Sequence, residues 1–109
     1  MATTPTVFYR GDVPASGAGL QTVYTLPTSN TTILTEIVLT NNTSSPITAS
    51  IVHSYISNQY YLKDVSILAN GTMYFSIKTV LPILGAIQAV QSTATASNLT
   101  LHLTGVVIT

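Results

Sequence analysis

Apolar and polar residues alternate with a period of two along most of the chain, and the pattern is clearest over residues 31–56. Ile33, Ile37 and Leu39 fall on one side of a first run, and Ile47, Ala49 and Ile51 on one side of a second. That spacing predicts half-buried strands. Between the runs, Asn41-Asn42-Thr43-Ser44-Ser45-Pro46 supplies residues that bend back on their own main chain, and Pro46 cannot donate to a ladder. The two runs are therefore expected to pair as a hairpin.

The same alternation predicts further strands on either side. Residues 6–10 are strand-like, and residues 20–26 place Leu20, Thr22, Tyr24 and Leu26 on one side before the turn at Pro27-Thr28-Ser29-Asn30. Residues 60–68 resume after a break at Ser57-Asn58-Gln59. Asn70-Gly71 then supplies the positive φ angles of a tight hairpin loop, and residues 72–78 point Met73, Phe75 and Ile77 inward. Residues 79–85, interrupted by Pro82, suit a corner or an edge segment better than a helix of seven uncapped residues. After a short strand at 86–92, residues 99–108 alternate most cleanly, with Leu99, Leu101, Leu103 and Val107 inward, so this strand belongs at or near the centre of a sheet. About eight strands without an amphipathic helical window predict an all-β chain, an antiparallel β-sandwich of jelly-roll or immunoglobulin-like type, with the strand count favouring the jelly roll. Residues 1–19, rich in Pro and Gly, are expected to form an extended N-terminal arm, and residues 20–109 the sandwich domain.

Composition sharpens the picture. Of 109 residues only 6% are charged, three basic against three acidic, where an ordinary domain carries roughly 25%. Such a surface offers no footprint for nucleic acid or anionic membrane. The polar exterior is instead built from Thr, Ser, Asn and Gln, which face either water or a partner without the cost of burying a charge. Interface cores are depleted in charge, so much of this exterior is expected to be covered by other subunits. With no cysteine, neither disulfides nor thiolate metal sites contribute. Met1-Ala2-Thr3-Thr4 is not a basic segment leading into an apolar one, and a cytoplasmic origin is the expectation.

Chemistry-bearing residues are few. His53 and His102 each stand alone, and Asp12, Glu36 and Asp64 lie on separate runs. No nucleophile elbow frames a serine, and Gly17-Ala18-Gly19 lacks the lysine of a phosphate loop. An enzyme is not expected, nor a cofactor or metal. Asn-x-Ser/Thr triplets at Asn30, Asn41, Asn42, Asn70 and Asn98 follow from turn chemistry in a Thr- and Asn-rich chain. Arg10-Gly11-Asp12 forms a charged corner on the arm, and Lys63-Asp64 a solvated pair. Tyrosines combine an apolar body with a polar tip; Tyr55, Tyr60 and Tyr61, with Arg10 and Asp12, are the candidate partner contacts.

Several segments in order, Val23-Tyr24-Thr25-Leu26-Pro27, Thr31-Thr32-Ile33, Thr40-Asn41-Asn42-Thr43, Tyr61-Leu62-Lys63-Asp64-Val65-Ser66-Ile67, Ala69-Asn70-Gly71-Thr72 and Leu103-Thr104-Gly105-Val106, are similar to small virion structural proteins of tailed bacteriophages. The resemblance spans residues 20–109. Val65-Ser66-Ile67-Leu68 stands where a Val-Pro-x-Pro turn is usual, and Ala86 where an acidic residue follows the glycine. The resemblance implies a non-enzymatic capsid decoration, or cement, protein on the capsid exterior, assembled in the bacterial cytoplasm, with the major capsid protein as partner and a homo-oligomer, a trimer, as its form. A neck, tail or fibre component is the alternative it leaves. From the tyrosines alone, a carbohydrate-binding adhesion module is another.

Overall fold

The computed structural model describes residues 3–82 and 84–109. Eight strands run in the order β1 (Thr3–Asp12), β2 (Gln21–Thr25), β3 (Thr31–Asn41), β4 (Ile47–Ser54), β5 (Asn58–Ile67), β6 (Thr72–Leu81), β7 (Ala86–Gln91) and β8 (Leu99–Ile108), with single 3-10 turns at Ser16–Ala18 and Ala96–Asn98. They form two antiparallel four-stranded sheets, β1-β8-β3-β6 and β2-β7-β4-β5. Consecutive strands alternate between sheets except at β4–β5, and that double Greek-key order distinguishes a jelly roll from an immunoglobulin-like sandwich. The expected all-β sandwich is present, in its jelly-roll form.

Inward side chains of the two sheets make one core, with Leu34, Ile37 and Leu39 of β3 and Leu99, Leu101 and Leu103 of β8 facing Ile47, Ala49 and Ile51 of β4 and Ile87 and Ala89 of β7. β8 lies between β1 and β3, as its clean alternation predicts.

The pairing departs from the sequence reading in instructive ways. β3 and β4 do not form a hairpin; they sit in opposite sheets, and the segment 42–46 crosses between them. Asn70 does adopt positive φ (54°), but the turn it makes leads from β5 in one sheet to β6 in the other. Turn chemistry specifies a reversal of the chain and is silent on whether the two arms stay in one sheet. Ile33, expected inside, is half-exposed while Leu34 is fully buried. The cause is a register shift between Leu34 and Glu36 against both neighbours. A bulge moves the strand by one residue and so exchanges its faces. The strand β6 continues through Thr79, Val80 and Leu81 before Pro82 ends it, so the expected corner begins later than residue 79; Ile83 within it lies outside the described residues.

Residues of the expected arm also take part in the sandwich. Thr3–Asp12 pairs with β8 as an edge strand, Phe8 and Val13 are buried, and the Phe8 ring packs 4.8 Å from that of Tyr24. Alternating exposure at 6–10 understated this strand because a register shift between Val7 and Tyr9 turns both Phe8 and Tyr9 toward the core. Met1 and Ala2 of the arm lie outside the described residues.

The bulges in β1 and β3 flank the Thr104–Gly105 step of β8. There Gly105 leaves room for two neighbours: a Cβ would lie 2.0 Å from the Ile33 carbonyl oxygen and 2.7 Å from Cε2 of Phe8. No side chain fits between a strand and its own ladder partner at that distance, so glycine is what lets the three bulged strands close on each other.

Candidate interaction surface

The registers place the outward residues of the first sheet in rows that cross its width. Nearest the 42–46 crossing lie Asp12, Thr100, Thr40 and Thr72, then Arg10, His102, Val38 and Tyr74, then Val7, Thr104, Glu36 and Ser76. The next row, Pro5, Val106, Ile33 and Val80, is apolar on all four strands. Val7 and Val80 are 57% and 64% exposed. Two shallow grooves follow the small side chains of β8 across this face: one is lined by Arg10, Val38, Thr40, Thr100 and His102, the other by Pro5, Val7, Glu36, Thr104 and Val106.

The outer face of the second sheet differs. Its rows are Thr22, Gln88, Val52 and Tyr60, and Thr48 with Ser66. Gln88 Nε2 donates to Thr22 Oγ1 at 3.4 Å, and Ser50 Oγ accepts from the Asp64 N–H at 2.9 Å. Asp64 holds positive φ (49°) within a strand interrupted by two register shifts. Gln88, Thr22, Ser50 and Asp64 thus already bond one another in pairs on this side, where Tyr60 stands exposed.

The five expected contact residues do not converge. Arg10 and Asp12 are exposed on β1, beside His102 and Thr100. Tyr55 is exposed in the turn 55–57 and Tyr60 on β5, where Lys63 Nζ lies 5.1 Å from its ring centroid. Tyr61 instead packs against the core, and burial raises its phenol pKa above 10. Alternation along β5 points Tyr60 outward and Tyr61 inward, and the register shift between the partners of Ile51 and Val52 turns Leu62 to the same side as Tyr61. Sequence reasoning passed over Pro5, Ile33, Val80 and Val106 as a contact; an apolar residue in a strand pattern is by itself no signal of contact, and only cross-strand register reveals that they share a row.

The histidines serve separate surroundings. His53 is buried and its Nε2–H donates to the Leu84 carbonyl at 2.9 Å. His102 faces outward between Arg10 and Val38. No group of three potential metal ligands gathers among the described residues. On the same face Tyr74 donates a hydrogen bond to the Glu36 carboxylate, and this bond foremost, then burial and the negative charge, raises the Tyr74 pKa. The face thus presents an apolar row, flanking hydroxyls and a few charges.

No family model and no curated protein matches the chain. Among solved structures it superposes on a chain of the infectious bursal disease virus Gx strain with a TM-score of 0.55 at 13% identity over 98% of its length. It superposes on a chain of the VP2 subviral particle of infectious bursal disease virus with a TM-score of 0.52 at 13% identity over 97%. It spans about a third of those longer chains, 33% and 32%. The shared feature is the fold, an antiparallel β-sandwich of jelly-roll form.

Proposed function

We propose that the chain is a non-enzymatic virion structural protein, a capsid decoration or cement protein that lies on the capsid exterior and holds neighbouring capsomers of the major capsid protein together. The observation that carries this reading is the apolar row of Pro5, Val106, Ile33 and Val80 across the outer face of a jelly roll whose residues are only 6% charged. Contiguous apolar surface on a soluble domain marks contact. The similarity to small virion proteins of tailed bacteriophages and the capsid-type fold support the same class. Contacts made by valine, isoleucine and threonine are little affected by salt, and repetition over a lattice turns modest single contacts into a stable shell.

On this reading the grip of residues 1–19 on the shell is exerted by the exposed Val7, Arg10 and Asp12 of β1, since Phe8 and Val13 are committed to the core. Deleting the segment would remove core residues, so point changes on the exposed face are the informative ones. The test is cryo-electron microscopy of particles carrying the labelled chain, together with rebinding of a Val7→Asp/Val80→Asp variant to stripped particles. Hundreds of copies over capsomer seams, lost in the double variant while Tyr60→Ala still binds, are expected. A few copies at the neck or tail, or no binding to the head, overturns the reading.

A further inference from the structure

Each sheet has two edges, and three of the four edge strands are guarded against pairing with another chain. β1 carries Pro5 together with Arg10 and Asp12. β2 has five residues and a register shift between Thr22 and Tyr24. β5 is broken by two register shifts, bears Lys63, and turns through Asp64 at positive φ. Short length, charge, proline and bulges are the features that keep a strand edge solitary. β6 differs: it has ten residues, no proline and one charge, Lys78. Its single register shift, opposite Thr35, leaves the in-out alternation unbroken from Thr72 to Leu81.

We infer that the free edge of β6 pairs antiparallel with β6 of a second copy about a two-fold axis at Ser76, joining two four-stranded sheets into one of eight strands. Two observations select a second copy as the occupant. The first is charge complementarity. With Ser76 opposite Ser76, Lys78 of each copy falls opposite Tyr74 of the other, whose hydroxyl is bound to Glu36. An ammonium beside a phenol ring and a carboxylate is attracted to both, and the symmetry supplies this contact twice while keeping the two lysines apart. The second is the inner face. Met73, Phe75 and Ile77 are only partly buried against the core, and the same register sets each Phe75 against Ile77 of the other copy, an aromatic and β-branched pair that extends the core across the new seam. A two-fold contact is self-complementary and closes on itself. It uses a different surface from the apolar row and stands whether or not the chain serves on a capsid.

The chain has no cysteine, so a Ser76→Cys variant reports the register directly. Residues opposite each other in an antiparallel pair have Cα atoms about 4.5–5.5 Å apart, within disulfide reach. Mild oxidation is expected to link Ser76→Cys into a covalent dimer and to leave Thr72→Cys, which would face Val80, unlinked. Light scattering of the native chain at up to about 100 µM is expected to give a dimer, Lys78→Glu to weaken it about tenfold or more, and Glu36→Lys combined with Lys78→Glu to restore it. A monomer throughout that range, a trimer of the kind the phage resemblance suggests, failure of Ser76→Cys to link, or indifference to Lys78→Glu overturns the inference.

Discussion

The two ends of the sandwich are built on different principles. At one end the crossings 13–20, 42–46, 68–71 and 92–98 meet, and two buried amides tie them together. Asn41 Nδ2 donates to the carbonyls of Ser45 (2.8 Å) and Ile67 (3.1 Å), while its Oδ1 accepts from the Thr43 N–H (2.9 Å) and hydroxyl (2.8 Å). Gln91 Nε2 donates to Val13 (2.8 Å) and Ala96 (2.9 Å), and its Oε1 accepts from the Thr93 hydroxyl. Both side chains are buried and every nitrogen and oxygen they carry has a partner, so the crossings at this end are specified from within, beneath turns that are mostly exposed. At the other end, around 26–30, 55–57 and 82–85, Ile56 is 89% exposed, Tyr55 and Leu84 are also on the surface, and the buried Thr32 Oγ1 has no partner among the described residues. There the main chain is held by Gly85, at φ 97°, where a Cβ would come within 2.4 Å of the Ser54 carbonyl oxygen. One end is closed by side-chain amides, the other by close backbone contact under an apolar tip. Amide clamps fix which strands cross where; a tip without them leaves apolar surface uncovered.

The largest expected effect follows from removing a clamp. Asn41→Ala leaves two carbonyls and an amide without their partner, the Ile67 carbonyl buried and the others part-buried, and each loss of a buried partner costs about 1–3 kcal/mol. A destabilisation of about 3 kcal/mol is expected in urea unfolding, with a fall of roughly 10 °C or more in Tm. Loss of less than about 1 kcal/mol would mean that water replaces the amide and that the two ends are closed alike.

Asn41 also shows where reading a sequence stops. The strand pattern at residues 99–108, the turn residues at 41–46 and 69–71, and the all-β class follow from local alternation and backbone preference, and all are present in the fold. What did not follow is anything set by a partner distant in sequence. The segment 42–46 looks the same whether it closes a hairpin or crosses between sheets, because its partners are distant in sequence: Asn41 Nδ2 donates to the Ile67 carbonyl, 26 residues away, and the Asn42 N–H to the Asn98 carbonyl. Ile33 and Leu34 are equally apolar; the bulge that chooses between them depends on Gly105 across the ladder. On the proposed contact face Arg10 and Asp12 could be picked by residue type, whereas the apolar row of Pro5, Val106, Ile33 and Val80 exists only once four strands are in register; Tyr60, picked in the same way, lies on the other sheet.

A smaller effect of opposite sign is expected at the open end. Thr32 is buried between Leu81 and Val107 in the ladder, and its hydroxyl is desolvated with no acceptor or donor among the described residues. Thr32→Val keeps the β-branched shape and removes the unmet group, so a gain of about 1 kcal/mol is expected. The comparable change at the clamped end, Thr43→Val, removes a hydroxyl that donates to Asn41 and should destabilise. A pair of substitutions with the same chemistry and opposite signs would establish that the ends differ in polar satisfaction; two losses would mean that Thr32 is bonded in solution.

The smallest effect concerns the tip itself. Ile56 projects from the turn 55–57 with nearly all its surface in water, so Ile56→Ser removes little burial and should change stability by no more than about 0.5 kcal/mol. Equilibrium unfolding checks this, and the same variant added to stripped particles tests which apolar surface makes contact. If the row on the first sheet is the contact, rebinding is unchanged, because Ile56 lies in the β4–β5 turn of the second sheet. If rebinding falls while stability holds, the open end is itself a docking surface, and its want of amide clamps is then the property that keeps its apolar side chains available to a partner.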